Sequence, residues 1–269
     1  MTYTAKETGS YSGHPIELYH FIRGGLSWRY TSADEDKIWD GATFLAYTME
    51  RTAFEQTQEM SRNPITITID KDCPFVLQYR GSPPTDVIQL KVYRYHDGDT
   101  ELTTPWIGRV TNVKFKERTA EIRCEPIYTS MKRPVLRRRY QTTCPHVLYG
   151  VSCGVGSASF ATLANLTAIN GTTISSATFA IQADGYYAGG YVDWEVNGNL
   201  ERRFILSHTG SNIVLNLPFS GLVNGTTVRA YPGCDHLLAT CNSKFNNVVN
   251  FGGQPFYPKK NPFGGSPIY

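Results

Sequence analysis

Two short cysteine brackets constrain this chain more than any other feature. "CPHVLYGVSC" spans residues 144–153 and "CDHLLATC" spans 234–241, with 80 residues between them. Four of the six cysteines are thus paired, Cys144 with Cys153 and Cys234 with Cys241, while Cys73 and Cys124 stand alone in strand-like text. The N-terminal text has no basic start followed by an apolar stretch, and no window reaches the roughly 18 continuous apolar residues that a membrane span needs. The expectation is a protein made in the cytoplasm, where a disulfide framework would not persist. Soft thiolates in a reducing compartment point instead to zinc or to an iron–sulfur cluster.

The spacing discriminates only in part. A tetrahedral zinc with Zn–S bonds of about 2.3 Å needs its sulfurs close together, and zinc pairs usually stand two to four residues apart. Gaps of eight and six residues are wide for that, whereas iron–sulfur proteins accept looser spacing. Were "CDHLLATC" one continuous helix, its cysteines would lie about 10.5 Å apart along the axis, so the segment must turn if one zinc is held. His146 and His236 each follow a cysteine by two places, which keeps a mixed Cys/His zinc site open. Four free buried thiols remain a further reading. Closing 80 flexible residues would cost about 4 kcal/mol in loop entropy, a cost that disappears if the intervening text folds with its ends together.

That text supports such a unit, and the expected fold class is mainly β. Gly24-Gly25 separates two aromatic-rich runs, a hairpin signal, and "NPITITID" alternates Ile65, Ile67 and Ile69 as a half-buried strand does. A longer alternation over residues 86–115 is broken at Asp97-Gly98, and "RTAEIRCEPIY" supplies another strand. Only "MERTAFEQTQEMS" suits a helix on composition. The predicted division is a β-rich region over 1–140 and a cysteine domain over 141–269. The latter carries a β-insert at about 157–233, with runs such as "ATFAIQA", "YVDWEVNGN", "ERRFILSH" and "NIVLNLPF", and ends in an extended, proline-containing tail.

"LRRRYQTTCPHVLYGVSCGV", followed later by "GCDHLLATCNSKFNNVVNFGGQPFYP", resembles the C-terminal signature of the tail-tip (baseplate) hub proteins of long-tailed phages and gene transfer agents, relatives of the tail tip protein L of phage lambda. "PIELYHFIRGGLSWRYTSADEDKIWDG", Arg51 and "ITITID" extend the resemblance to the N-terminal half. It implies N-terminal β-barrel-like hub domains followed by a small iron–sulfur domain with a β-rich insert. It also implies a non-enzymatic virion protein at the tail tip, assembled in the bacterial host cytoplasm. Carried over by position, the ligands of a [4Fe-4S] cluster are Cys144, Cys153, Cys234 and Cys241, with zinc as the alternative. Cys73 and Cys124 have no counterpart and are expected to be packing thiols. The implied partners are two further copies in a homotrimer, the distal tail protein ring and the large central tail-tip protein. The 80-residue interval matches the gene-transfer-agent type rather than the shorter lambda-like one.

Other functions find little support. The net charge of +3 is small, and the one dense basic run, Lys132 to Arg139, suits a protein partner better than specific nucleic-acid recognition, although a tail tip lines a DNA conduit. Asp34, Glu35 and Asp36 lie in "SADEDK", a turn with solvated charges rather than a paired-carboxylate site. "GVGSAS" lacks the lysine of a phosphate loop. No flavin, nicotinamide or adenosylmethionine motif accompanies the cysteines to indicate electron transfer. Tyr186, Tyr187, Tyr191 and Trp194 crowd together as a carbohydrate-binding surface could, but aromatic residues in strands more commonly form core.

Overall fold

The Gly24-Gly25 break is a tight hairpin turn between β1 (Pro15–Arg23) and β2 (Leu26–Thr31), with Gly24 at φ +53°, a conformation that glycine adopts without steric cost. The computed structural model describes residues 3–9, 13–55, 59, 63–98, 100–132, 134, 139–256 and 258. It separates into two compact units, Met1–Arg133 and Pro134–Tyr269. Both are built from strands, as expected.

In the first unit, β3 (Lys37–Trp39), β4 (Ala42–Ala46), β5 (Met49–Arg51), β6 (Ile65–Asp70), β7 (Gln89–His96), β8 (Thr103–Phe115) and β9 (Thr119–Pro126) join the hairpin in one sheet of order β3-β4-β2-β1-β7-β8-β9-β6-β5. Only Tyr47 and Thr48 separate β4 from β5, which sits at the far end of that order. Two residues reach about 10 Å, so the sheet must curl until its ends meet. Hydrogen bonds show the seam: the Tyr47 amide donates to Thr31 O beside the parallel β2–β4 pairing, and β5 pairs with β6. One bent strand thus closes the sheet on itself.

The alternating isoleucines of β6 face the interior, all three at most 1% exposed, together with Tyr19, Phe21, Leu90, Val92 and Ile122. The short helix α1 (Tyr3–Glu7) contacts β7 through Glu7, which pairs with Arg94 and His96. Helix α2 (Pro74–Leu77) opens on a proline, which costs nothing at a first turn, and pushes Phe75 against Phe21 with ring centroids 4.1 Å apart. Cys73 and Cys124 are both fully buried in this core, and burial raises both thiols above their ordinary value. They are packing groups. Of the helical candidate at 49–61, Met49–Arg51 is strand β5 and residues 52–55 are irregular. The rest of it, apart from Glu59, lies outside the described residues.

A charged contact crosses this interior. Glu17 on β1 accepts hydrogen bonds from Tyr19 Oη at 2.7 Å, from Arg51 Nε at 2.7 Å and from Arg51 Nη2, with Arg94 Nε 3.6 Å away. Burial alone would raise the Glu17 pKa, but the bonds from Arg51 and Tyr19 and the charges of Arg51 and Arg94 hold it below the ordinary 4.5. Folding therefore favours the ionised form: its contribution is present above the unfolded pKa and is lost as pH falls through the lower folded one. Calorimetry from about pH 5 down to about pH 3 is expected to show the first unit's melting temperature dropping, with a shallower slope in Glu17→Gln. Equal slopes would remove Glu17 from the acid response.

The second unit is closed by the same device. Its strands are β10 (Thr162–Asn165), β11 (Ala168–Asn170), β12 (Thr173–Ser175), β13 (Tyr191–Val196), β14 (Asn199–Thr209), β15 (Asn212–Leu215) and β16 (Thr227–Tyr231), in the order β10-β16-β13-β14-β15-β12-β11. Between β10 and β11 stand two residues whose amides bond opposite ends of the sheet: Leu166 donates to Thr226 O and Thr167 to Ser175 O. The insert is therefore a small barrel around Phe179, Tyr187, Val192, Trp194, Ile205 and Val228. Tyr187 and Trp194 are core, at 0% and 2% exposed, so these two aromatics of the crowd pack the barrel interior, while Tyr186 and Tyr191 are half-buried. "ATFAIQA", expected as a strand, is instead a 3-10 turn over Ala177–Ile181. Ser176 accepts the Thr178 amide at its start and Phe179 drops into the barrel, so the apolar alternation reflects one inward side chain rather than a pleat.

Candidate metal centre

The barrel returns the chain to its starting point, its last strand β16 pairing with its first, β10, with Ala230 opposite Thr162. At its base the backbones at Gly190 and Gly233 pass so closely that a Cβ at Gly190 would lie 1.9 Å from Tyr231 O, and one at Gly233 would lie 2.0 Å from Ala188 O. Only glycine allows this approach. Tyr149 Oη donates to Pro232 O at 2.8 Å, and its ring meets Tyr191, Tyr231 and Phe245 edge-on. The Cys144 amide donates to His236 O at 2.9 Å. The two brackets are thus adjacent, and the loop entropy of the 80-residue excursion is met by the barrel's own folding.

All four bracket cysteines line one cavity, together with His146, His236, Leu148, Val155, Phe245 and Asn247. Two of the sulfurs accept backbone hydrogen bonds: Cys144 from the Gly252 amide at 3.4 Å and Cys234 from the His236 amide at 3.3 Å. Asn247 ties the other two. Its Nδ2 donates to Cys153 O at 2.6 Å and reaches Cys153 Sγ at 3.9 Å, while its carbonyl accepts from Cys241 Sγ at 3.3 Å. Asn250 fixes that side chain by donating to Asn247 Oδ1 at 2.7 Å.

Tight turns aim these groups. Among the described residues five non-glycine positions have positive φ, and three of them, Tyr149, His236 and Asn246, belong to this site. Such backbone is uncommon outside glycine and concentrates where geometry serves function. "CDHLLATC" does turn: His236 has φ +63°, and helix α3 (Leu238–Phe245) begins only at Leu238. Asp235 accepts from the Leu237 amide at 2.9 Å and from Thr240 Oγ1 at 2.7 Å, which holds the start of the helix. Cys241 therefore faces the cavity from the helix and Cys234 from the preceding loop.

The electrostatics suit a cation. Burial, then the charges of the other bracket cysteines, raises the Cys241 thiol. Cys234 is also raised, by burial and by Asp235, Cys153 and Cys144, against the lowering effect of the His236 amide. Cys234 and Cys241 thus resist ionising by themselves, and a bound metal ion reverses that penalty. Among the described residues, however, no three His, Cys, Asp or Glu side chains converge tightly enough to hold a single ion. Soft sulfurs around a shared cavity with amide donors are a donor set that zinc and iron–sulfur centres both use. His146 Nδ1 donates to Asn250 O at 3.1 Å, and its buried Nε2 has no hydrogen-bond partner.

The brackets themselves were readable from spacing; their supports were not. Tyr149, Asn247, Asn250 and Lys244 carry no spacing signal, although the αL-tolerant asparagines of "KFNN" mark a helix end. Of the basic run, Arg133, Arg137 and Arg138 lie outside the described residues, and Arg139 is exposed. Asp34 and Glu35 occupy a bend, with Glu35 on Lys37, and Asp36 accepts the Ala46 amide.

Comparison with known proteins bears on the whole assembly of features. The family described as "Baseplate hub protein, N-terminal attachment domain" matches residues 20–156, and "Phage conserved hypothetical protein BR0599" matches residues 185–261. An uncharacterized protein of Xylella fastidiosa (strain 9a5c) is 29% identical over 165 residues, 55% of this chain. That match spans only 34% of the Xylella protein's length. A chain of a structure titled "Virion of native gene transfer agent (GTA) particle" superposes with a TM-score of 0.81 at 19% identity, over 99% of this chain and 96% of that one; it shares the fold. With more than half its length matched by the attachment-domain family, the chain belongs to the baseplate hub proteins and is a component of the tail tip of a phage or phage-like particle.

Proposed function

We propose that this hub protein is a non-enzymatic structural element whose four bracket cysteines hold a [4Fe-4S] cluster. The cluster would fasten the base of the second barrel to the rest of its unit. One observation carries the reading: Cys144, Cys153, Cys234 and Cys241 line one cavity although 80 residues separate the brackets. Metal binding at such a point contributes directly to the folding free energy. Zinc on the same sulfurs is the second reading, supported by its affinity for thiolate. In the assembly, the chain would form a homotrimer between the distal tail ring and the large central tail-tip protein and would line the DNA path without reading sequence. The family assignment and the shared fold support this placement.

Anaerobic purification with iron, sulfide and zinc analysis tests the cofactor. The expected product is brown, with about four iron and four sulfide per chain, and both Cys144→Ser and Cys241→Ser lose the colour. Stoichiometric zinc would keep the fastening and reject the cluster. Colourless, metal-free protein, with both variants folding as the parent does, would sink the cofactor reading and leave the family assignment in place.

A further inference from the structure

Lys244 lies one turn beyond Cys241 on helix α3, and its half-buried side chain reaches the base of the barrel. Nζ donates to Gly233 O at 2.8 Å and to Tyr186 O, and sits 4.5 Å from the centre of the Tyr186 ring. Gly233 O belongs to the peptide group whose N–H is that of Cys234. Tyr186 lies in the turn that leads to Gly189 and Gly190, against which the Gly233 backbone is pressed. One side chain therefore joins the helix of Cys241, the peptide of Cys234 and the entry to β13.

The chemistry of this placement is unusual for a structural clasp. Both acceptors are neutral peptide carbonyls, so the positive charge is not neutralised where it binds. Burying a cation without a partner is costly. The negative groups whose charge acts on it are Cys234 and Asp235, and the Asp235 carboxylate is engaged by the start of α3. The ammonium also bonds the peptide group that leads into Cys234, so Asp235 and the sulfur set together balance its charge.

Building on the proposed cofactor site, we infer that Lys244 is a positioning residue for it: a fixed, half-buried counter-charge that also locks Cys234 and the barrel base in place. A thiolate-ligated cluster is anionic, and each electron it accepts adds a negative charge. A nearby ammonium therefore stabilises the reduced form more than the oxidised one and raises the reduction potential. No proton or electron moves through Lys244 itself.

The test uses the full chain with Lys244→Met, which keeps the stem and removes charge and donors, and Lys244→Gln, which keeps a donor without charge. Hydrogen exchange on metal-free protein reads the clasp. Amides of residues 186–190 and 233–236 are expected to exchange at least tenfold faster in Lys244→Met, and less so in Lys244→Gln, while β12 and β15 keep their protection. Potentiometry on loaded protein reads the charge, and both variants are expected to have a lower midpoint potential than the parent. Unchanged exchange in both variants overturns the clasp, and an unchanged potential in both overturns the counter-charge. A parent without iron would overturn the cofactor reading and the counter-charge together, while the exchange result would still decide the clasp. If Lys244→Met does not fold, Lys244→Gln supplies both readouts.

Discussion

Gly233→Ala is expected to unseat the proposed cluster and unfasten the barrel joined to its site. The new Cβ would lie 2.0 Å from Ala188 O and 2.3 Å from Gly189 C, contacts against backbone that no rotamer change relieves. The two segments must part, which disturbs the Lys244 bond to Gly233 O, the Tyr149 bond to Pro232 O and the approach of His236 to Cys144. The cost is expected to reach about 3 kcal/mol or more, the upper end of overpacking. It should appear as lost iron and as an earlier, separate melting step for the second unit. Gly156→Ala is the control, since its Cβ would meet only Ser159 Oγ at 3.8 Å. Iron retained in Gly233→Ala would show that the close crossing is not what holds the brackets together.

The second large effect belongs to the first barrel. Arg51→Met leaves the Glu17 carboxylate, 12% exposed, facing the interior without its two-pronged partner. Breaking a buried ion pair by removing one member costs about 3–5 kcal/mol. The lower end is expected here, because Arg94 Nε remains 3.6 Å from Glu17. The loss also removes the Arg51 guanidinium from the face of Phe54, 3.6 Å from the ring centre. Adding Glu17→Gln to Arg51→Met is expected to recover most of the loss, since no charge is then stranded. Urea denaturation of the single and double variants decides it. Equal midpoints would mean that the charge pair contributes packing alone.

The sequence made some elements readable because one side of each strand is buried. Ile65, Ile67 and Ile69 form a buried row, and the Gly24-Gly25 and Asn197-Gly198 pairs sit where β1–β2 and β13–β14 turn. Closure was not readable. Nothing in the chemistry of Tyr47 and Thr48, or of Leu166 and Thr167, distinguishes a strand that bends between two sheet ends from a strand that stays in one. That distinction lies in which distant partner each amide finds. "ATFAIQA" misled for a related reason: alternation over three apolar residues fits a 3-10 turn once Ser176 caps it. At the site, cysteine spacing exposed the sulfurs because few residue types can serve as soft ligands. Lys244 stayed hidden because its role depends on two carbonyls, and every residue has one.

The pairing of its first strand, β10, with its last, β16, gives the second barrel the character of a removable cassette. Its entry and exit strands, β10 and β16, leave the cysteine scaffold side by side, with Thr162 opposite Ala230. A module attached through two adjacent stems can be exchanged for a longer, shorter or differently decorated one without redrawing the scaffold. Selection on whatever surface the module presents can then proceed separately from selection on the sulfurs beneath it. The excursion between the brackets is thus free to diversify at the very point where the scaffold is most tightly specified.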